Sequence, residues 1–161
     1  MPVKSRAIAL VTVVIAGAAF VHAGSPKASQ QAELKSHMKS AERVFVGHVA
    51  RVSPYMKRTD RGDVLIMSHV DLVIEEALKG QTSSTVPMEI EGGTLNGVTM
   101  EVSDLPLMKA GLRAVVILKR NPRGELVPHQ RGRGVLELEQ EHVKDSDLWL
   151  DDVRLAAAEA R

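Results

Sequence analysis

The sequence predicts a mainly β fold, a small barrel of short strands with a short N-terminal helix and a C-terminal helix. Three observations carry this. Apolar and polar residues alternate with period two in several stretches between residues 43 and 139. Gly, Pro and Asn clusters punctuate those stretches at short intervals. After residue 145 the apolar spacing changes to that of a helix. The chain has 161 residues, 44% hydrophobic, which is enough apolar material for one compact domain.

The organisation reads as four parts: a signal peptide over 1–23, a helical or linker segment over 24–40, the barrel over 41–140 and a helix over 141–161. Residues 1–23 hold Lys4 and Arg6 ahead of an apolar run from Ala7 to Phe20, and Val21-His22-Ala23 follows. That is the layout of a secretory signal, with cleavage expected after Ala23. The run is shorter than the roughly 20 apolar residues of a spanning helix, so no stable membrane anchor is expected after cleavage. A lipid anchor at that point needs a cysteine, and the chain has none. The expected location is periplasmic or secreted, with stability resting on packing and no disulfide.

From Ala28 to Lys39 the apolar residues Ala32, Leu34 and Met38 suit a short docking helix. Arg43 to Val52 is rich in β-branched residues and ends at Ser53-Pro54, which predicts a first strand. After the charged turn 57–63, Val64 to Leu78 places Val64, Ile66, Val70, Leu72 and Ile74 on one parity and His69, Asp71 and Glu75 on the other. Its length suggests a strand bent around a barrel. Val86, Met88 and Ile90 alternate with Pro87, Glu89 and Glu91, and Pro87 assigns this strand to an edge or a bulge. Gly92-Gly93 and Asn96-Gly97 mark a tight turn before Val98 to Val102. Leu112 to Leu118 is apolar at nearly every position after Arg113 and reads as the most buried strand. Asn121 to Gly124 reverses the chain, 125–128 returns briefly, and Gly134 to Glu139 is the last strand. Trp149, Val153, Ala156 and Ala160 make one helical stripe, with Trp149 as the expected anchor.

Val44-Phe-Val-Gly-His-Val49, Val73-Ile-Glu-Glu-Ala-Leu-Lys-Gly80, Gly92-Gly93 with Gly97, Leu105-Pro106 with Gly111, Val115 to Leu118 and Gly132 to Leu138 follow in an order that resembles small exported bacterial proteins related to the tissue inhibitors of metalloproteinases and netrin-type modules. The resemblance implies an OB-like Greek-key barrel with loops and a groove open to a binding partner. The animal inhibitors of this fold class chelate zinc through an N-terminal cysteine. Here the expected mature terminus is Gly24, so that route to inhibition is not carried over.

Composition narrows the chemistry. Aromatic residues are only 2% of the chain, and Lys plus Arg number 21 against 20 for Asp plus Glu. Neither stacking platforms nor a global basic field is present, so nucleic acid is not an expected partner. Glu75-Glu76 and Asp151-Asp152 diverge in a strand and in a helix respectively, and both pairs read as solvated. Gly92 to Gly97 lacks the Lys and the helix of a phosphate loop. The histidines 37, 48, 69, 129 and 142 show no zinc-hydrolase spacing. A hairpin around residues 54–63 with Ser53 facing Val64 would set His48 opposite His69, the one weak candidate metal pair. No cofactor is expected. Arg113, Lys119, Arg120, Arg123, Arg131 and Arg133 form a basic run that could contact an anionic envelope ligand or an acidic protein.

The leading expectation is an exported, non-catalytic binding domain, with an exported protein such as a protease as one partner. The alternatives are a metal-dependent protein or enzyme using the strand histidines, and a structural envelope component.

Overall fold

The computed structural model describes residues 26–80 and 83–161. The expected signal peptide and its cleavage point lie outside the described residues. The elements in order are α1 (Pro26–Lys39), β1 (Arg43–Arg58), β2 (Val64–Lys79), β3 (Thr85–Glu91), β4 (Gly93–Leu95), β5 (Val98–Met100), β6 (Arg113–Arg120), β7 (Leu126–Pro128), a 3-10 turn (Arg131–Gly134), β8 (Val135–Glu139), β9 (His142–Val143) and α2 (Leu150–Glu159). The protein is mainly β with a helix near each end, as its sequence predicts.

The main sheet runs β3-β2-β1-β6-β8-β9, and β7 also pairs with β6. Three hairpin-linked strands with a fourth returning beside the first make a Greek key. The ladders form an open path rather than a closed ring. The sheet curls without closing into a barrel, and the hairpin β4-β5 forms a separate small sheet within the long connection. Its turn uses Asn96 at φ 52° and Gly97 at φ 79°, the two positive angles a two-residue hairpin turn requires.

Every residue from Ala114 to Leu118 in β6 is buried, because both faces of the strand are covered. Val115 and Ile117 join Val44, Val46, Leu34 and Met38 of α1, and Leu150, Val153 and Ala157 of α2. Ala114, Val116 and Leu118 point the other way, into the concave core with Phe45, Val49, Leu72 and Met88. The strand alternation assigns successive side chains to the two cores. Neither helix floats: Lys27 and Gln31 of α1 reach Asp152 of α2, each at 2.8 Å.

β1 runs past Ser53-Pro54 to Arg58, beyond the predicted end. Thr59 N–H bonds Asp63 C=O at 2.8 Å, which makes odd-numbered residues the hydrogen-bonded partners in this part of the β1-β2 ladder. Pro54 pairs with Ser68 at the alternate position. Its nitrogen therefore faces away from β2, where no donor is needed. The extension moves the register by five residues from the predicted one at Ser53, which faces His69, and by four at His48, which faces Val73 beyond the Val49/Arg51 bulge. Bulges at Val44/Phe45, Val46/Gly47 and Val49/Arg51 bend the same hairpin.

Trp149 also departs from expectation. It is the residue before α2, 53% exposed, and its ring stands T-shaped to that of His142 with centroids 4.9 Å apart. Its main-chain N–H donates to Asp152 Oδ2 at 2.9 Å, so the position serves as a helix cap. The helix is anchored instead by Leu150, Val153, Ala156 and Ala157. Leu150→Ala is therefore expected to lower stability by about 2–5 kcal/mol in denaturant titration, and Trp149→Ala by less than about 1 kcal/mol.

Candidate functional site

A groove of about 290 Å³ lies over the seam where β3 and β7 come together. No ladder joins these two strands, and the prolines explain why. In the β2-β3 ladder, Ile74 N–H bonds Ser84 C=O and Gly92 N–H bonds Ile66 C=O, so even-numbered residues of β3 bond β2. Pro87, Glu89 and Glu91 then turn their main-chain groups outward. In the β6-β7 ladder the bonds of Asn121 to Glu125 and of His129 to Ile117 assign Leu126 and Pro128 to the outward positions. Each edge thus presents a proline, which has no N–H to give. The sheet meets itself through side chains and leaves the groove above the seam.

The groove floor is apolar, with Met67, Ile90, Leu105, Val127 and Pro128, and its polar lining includes Lys57, Glu89, Arg123 and Arg131. Adjoining cavities continue it in both directions along β3, one sharing Glu89 and Glu125, the other sharing Ile90, Glu91 and Leu105. An apolar floor with a few convergent polar groups is the usual make-up of a binding cleft.

Lys57 and Glu89 of the groove lining belong to a polar cluster built on three adjacent strands. The register sets Ser53 beside His69 and His69 beside Glu89, which puts Tyr55, His69 and Glu89 on one face. The Tyr55 ring stacks on His69 with centroids 4.6 Å apart and planes 12° apart. Tyr55 O–H and Lys57 Nζ both donate to Glu89 Oε1, each at 2.6 Å. Among the described residues, Glu89 Oε2 takes no protein donor. The Glu89 side chain is only 9% exposed, so this ion pair is well shielded from water. Burial pushes its carboxyl up, but the bonds from Lys57 and Tyr55 outweigh burial and hold it below the ordinary range. Burial, then the neighbouring carboxylate of Glu89, drives the Tyr55 phenol far above its usual value.

Arg131 closes one end of the groove. Its guanidinium bonds Asp104 at 2.9 Å and Glu91 at 3.0 Å. Behind it, Gly132 lies so close to the 103–105 segment that a Cβ there would sit 1.3 Å from Asp104 O. Only glycine fits that approach.

The remaining basic residues singled out in the sequence do not gather at one surface. Arg113 begins β6 and Arg120 ends it, about 23 Å apart along an extended strand. Arg113 bonds Glu75 at 2.7 Å and Glu141 at 2.9 Å. Arg120 pairs with Glu42 at 3.2 Å, and Arg133 with Glu33 at 2.8 Å. Among the described residues, Lys119 and Arg123 form no ion pair, and Arg123 lines the groove. The alternation of strand residues and the intervening acids divide the run.

His48 and His69, the weak candidate metal pair, do not face each other, because the register that would align them is not the one adopted. His48 Nδ1 lies 3.0 Å from Glu75 Oε1 on an open strand surface, while His69 packs on Tyr55. Among the described residues, no three His, Asp or Glu side chains converge as a metal site.

Sequence reading passed over Tyr55, Lys57 and Glu89. The parity of Glu89 in the Pro87 strand was visible, but its partners depended on the length of β1. Tyr55 is the only tyrosine in the chain, so its ionisation can be followed by ultraviolet absorbance. Its midpoint is expected well above 10, moving toward the ordinary value in Glu89→Gln, provided the variant keeps its circular dichroism. Neither a protein-family model nor a curated protein matches this chain.

Proposed function

We propose that this chain is an exported, non-catalytic binding domain that receives a segment of a protein partner in the groove between β3 and β7. The observation that carries the reading is the joining of an apolar floor to the shielded Lys57-Glu89 pair that Tyr55 supports from behind, with Arg123 in the same lining forming no ion pair among the described residues. Such a site can desolvate an apolar anchor while fixing its orientation through a few polar contacts. Glu89 Oε2 offers an acceptor for a donor on the partner, and Arg123 offers a cation for a carboxylate.

Export is supported by the basic and apolar layout of residues 1–23. The resemblance to netrin-type and metalloproteinase-inhibitor barrels supports binding beside a curled Greek-key sheet. An exported protease is one partner class this admits. Binding would rest on groove contacts alone, since Gly24 cannot supply the cysteine chelation of the animal inhibitors.

Photo-cross-linking tests the reading. A photoreactive residue at Val127 or Arg123 is expected to give one reproducible adduct in envelope extract or culture medium. The same group at Leu155, exposed on α2, is expected to give none. Val127→Asp, which places a charge on the groove floor, should cut the adduct at least about tenfold, as loss of an interface anchor does. Equal labelling from Leu155, or none from the groove, would reject it.

A further inference from the structure

His37 is 7% exposed, the most buried ionisable residue among the described residues. It lies in the last turn of α1 and meets His129, which follows β7, with ring centroids 4.7 Å apart. Ser40 completes the group. Its hydroxyl donates to His37 C=O at 3.1 Å, since a carbonyl can only accept. The 2.7 Å contact between Ser40 Oγ and His129 Nε2 is then an N–H donated by His129. His37 Nε2 in turn donates to His129 C=O at 2.9 Å. Three bonds close a ring that fastens the end of α1 to the segment after β7.

We propose that this ring is an acid-released latch: protonation of the two imidazoles drives the last turn of α1 away from His129 and loosens the 129–134 segment that carries Arg131 into the groove. The proposal concerns the protein by itself and does not depend on the partner assigned above.

The electrostatic surroundings favour release. Two imidazolium rings at 4.7 Å repel each other, and one of them is almost wholly out of water. Around the pair stand Lys79 from β2, donating to Met38 C=O and Lys39 C=O, Lys119 from β6 and Arg133 from the 3-10 turn. Glu33 on α1 is the acid that opposes them, and it is engaged by Arg133 at 2.8 Å. The position of His37 at a helix C-terminus also favours its charge. The balance still falls against the proton. Burial, despite the bond to His129, lowers the His37 value, and burial followed by the charges of His37 and Lys119 lowers that of His129.

With both values lowered in the latched state, the released state binds protons more tightly. The latch is therefore at full strength above the ordinary histidine value and weakens as pH falls below it. The geometry also supplies a route to the groove. Gln130 and Arg131 both hold left-handed backbone, at φ 54° and 58°, immediately after the latched residue. That costly conformation is retained only while its surroundings enforce it.

Nuclear magnetic resonance and hydrogen exchange on the processed chain test the latch. Both imidazoles are expected to titrate below their ordinary value. Amide exchange, corrected for its intrinsic pH dependence, should speed up about tenfold at 34–38 and 129–134 between pH 7 and pH 5, while β6 stays protected. Preferential proton binding by the released state drives that acceleration. His37→Gln and His129→Gln each retain an Nε2 donor without a titrating charge, and each should reduce the acceleration. If one variant fails to fold, the other provides the same comparison. Either ring titrating at or above the ordinary value, exchange unchanged between pH 7 and pH 5, or full acceleration persisting in a folded variant would overturn the latch.

Discussion

The structure depends on β6 being apolar on both faces. Five consecutive residues, Ala114 to Leu118, are shared between a core closed by two helices and a core enclosed by the curl of the sheet. A strand wetted on one side would leave α1 and α2 without a floor. Because β6 pairs with β1 along one edge and with β7 and β8 along the other, it also fixes where the sheet begins to curl. With no cysteine in the chain, no disulfide can share this task. The shape is set by burial, at roughly 25 cal/mol per Å² of apolar surface removed from water.

Proline placement governs what the edges do. Pro54, Pro87 and Pro128 all stand where the ladder needs no donor on the paired side. At Pro54 this lets β1 continue, and at Pro87 and Pro128 it leaves the seam unzipped. An exposed strand edge invites pairing with other chains, and two prolines facing one seam discourage it. The same arrangement that protects the edge creates a concave surface. Structural economy and the binding reading converge on one stretch of backbone.

Much of the architecture was legible in the sequence. The period-two runs located the long strands, Pro87 located an edge, and the unbroken apolar run from Ala114 located the most buried strand. The site was less legible, because a groove made by β1, β2, β3 and β7 depends on register. Ser53-Pro54 looks like a stop signal, yet a proline at a non-bonded position stops nothing. That single reading shifted the hairpin, aligned His48 with the wrong neighbour and hid the diagonal contact of Tyr55 with Glu89. Trp149 misled for a related reason. Its size suggested an anchor, but the helix begins one residue later and leaves it outside. The basic run was plain as a string of letters, but its acidic partners come from distant segments.

The placement of the two best chromophores has a practical consequence. Trp149 is the only tryptophan, at the start of α2 beside the helix-covered core, while Tyr55 is the only tyrosine, in the hairpin that bounds the groove. They are spectrally separable reporters of two regions joined through β6. Melting curves recorded from each would superimpose if the two cores unfold cooperatively, and would separate if the helical layer detaches first.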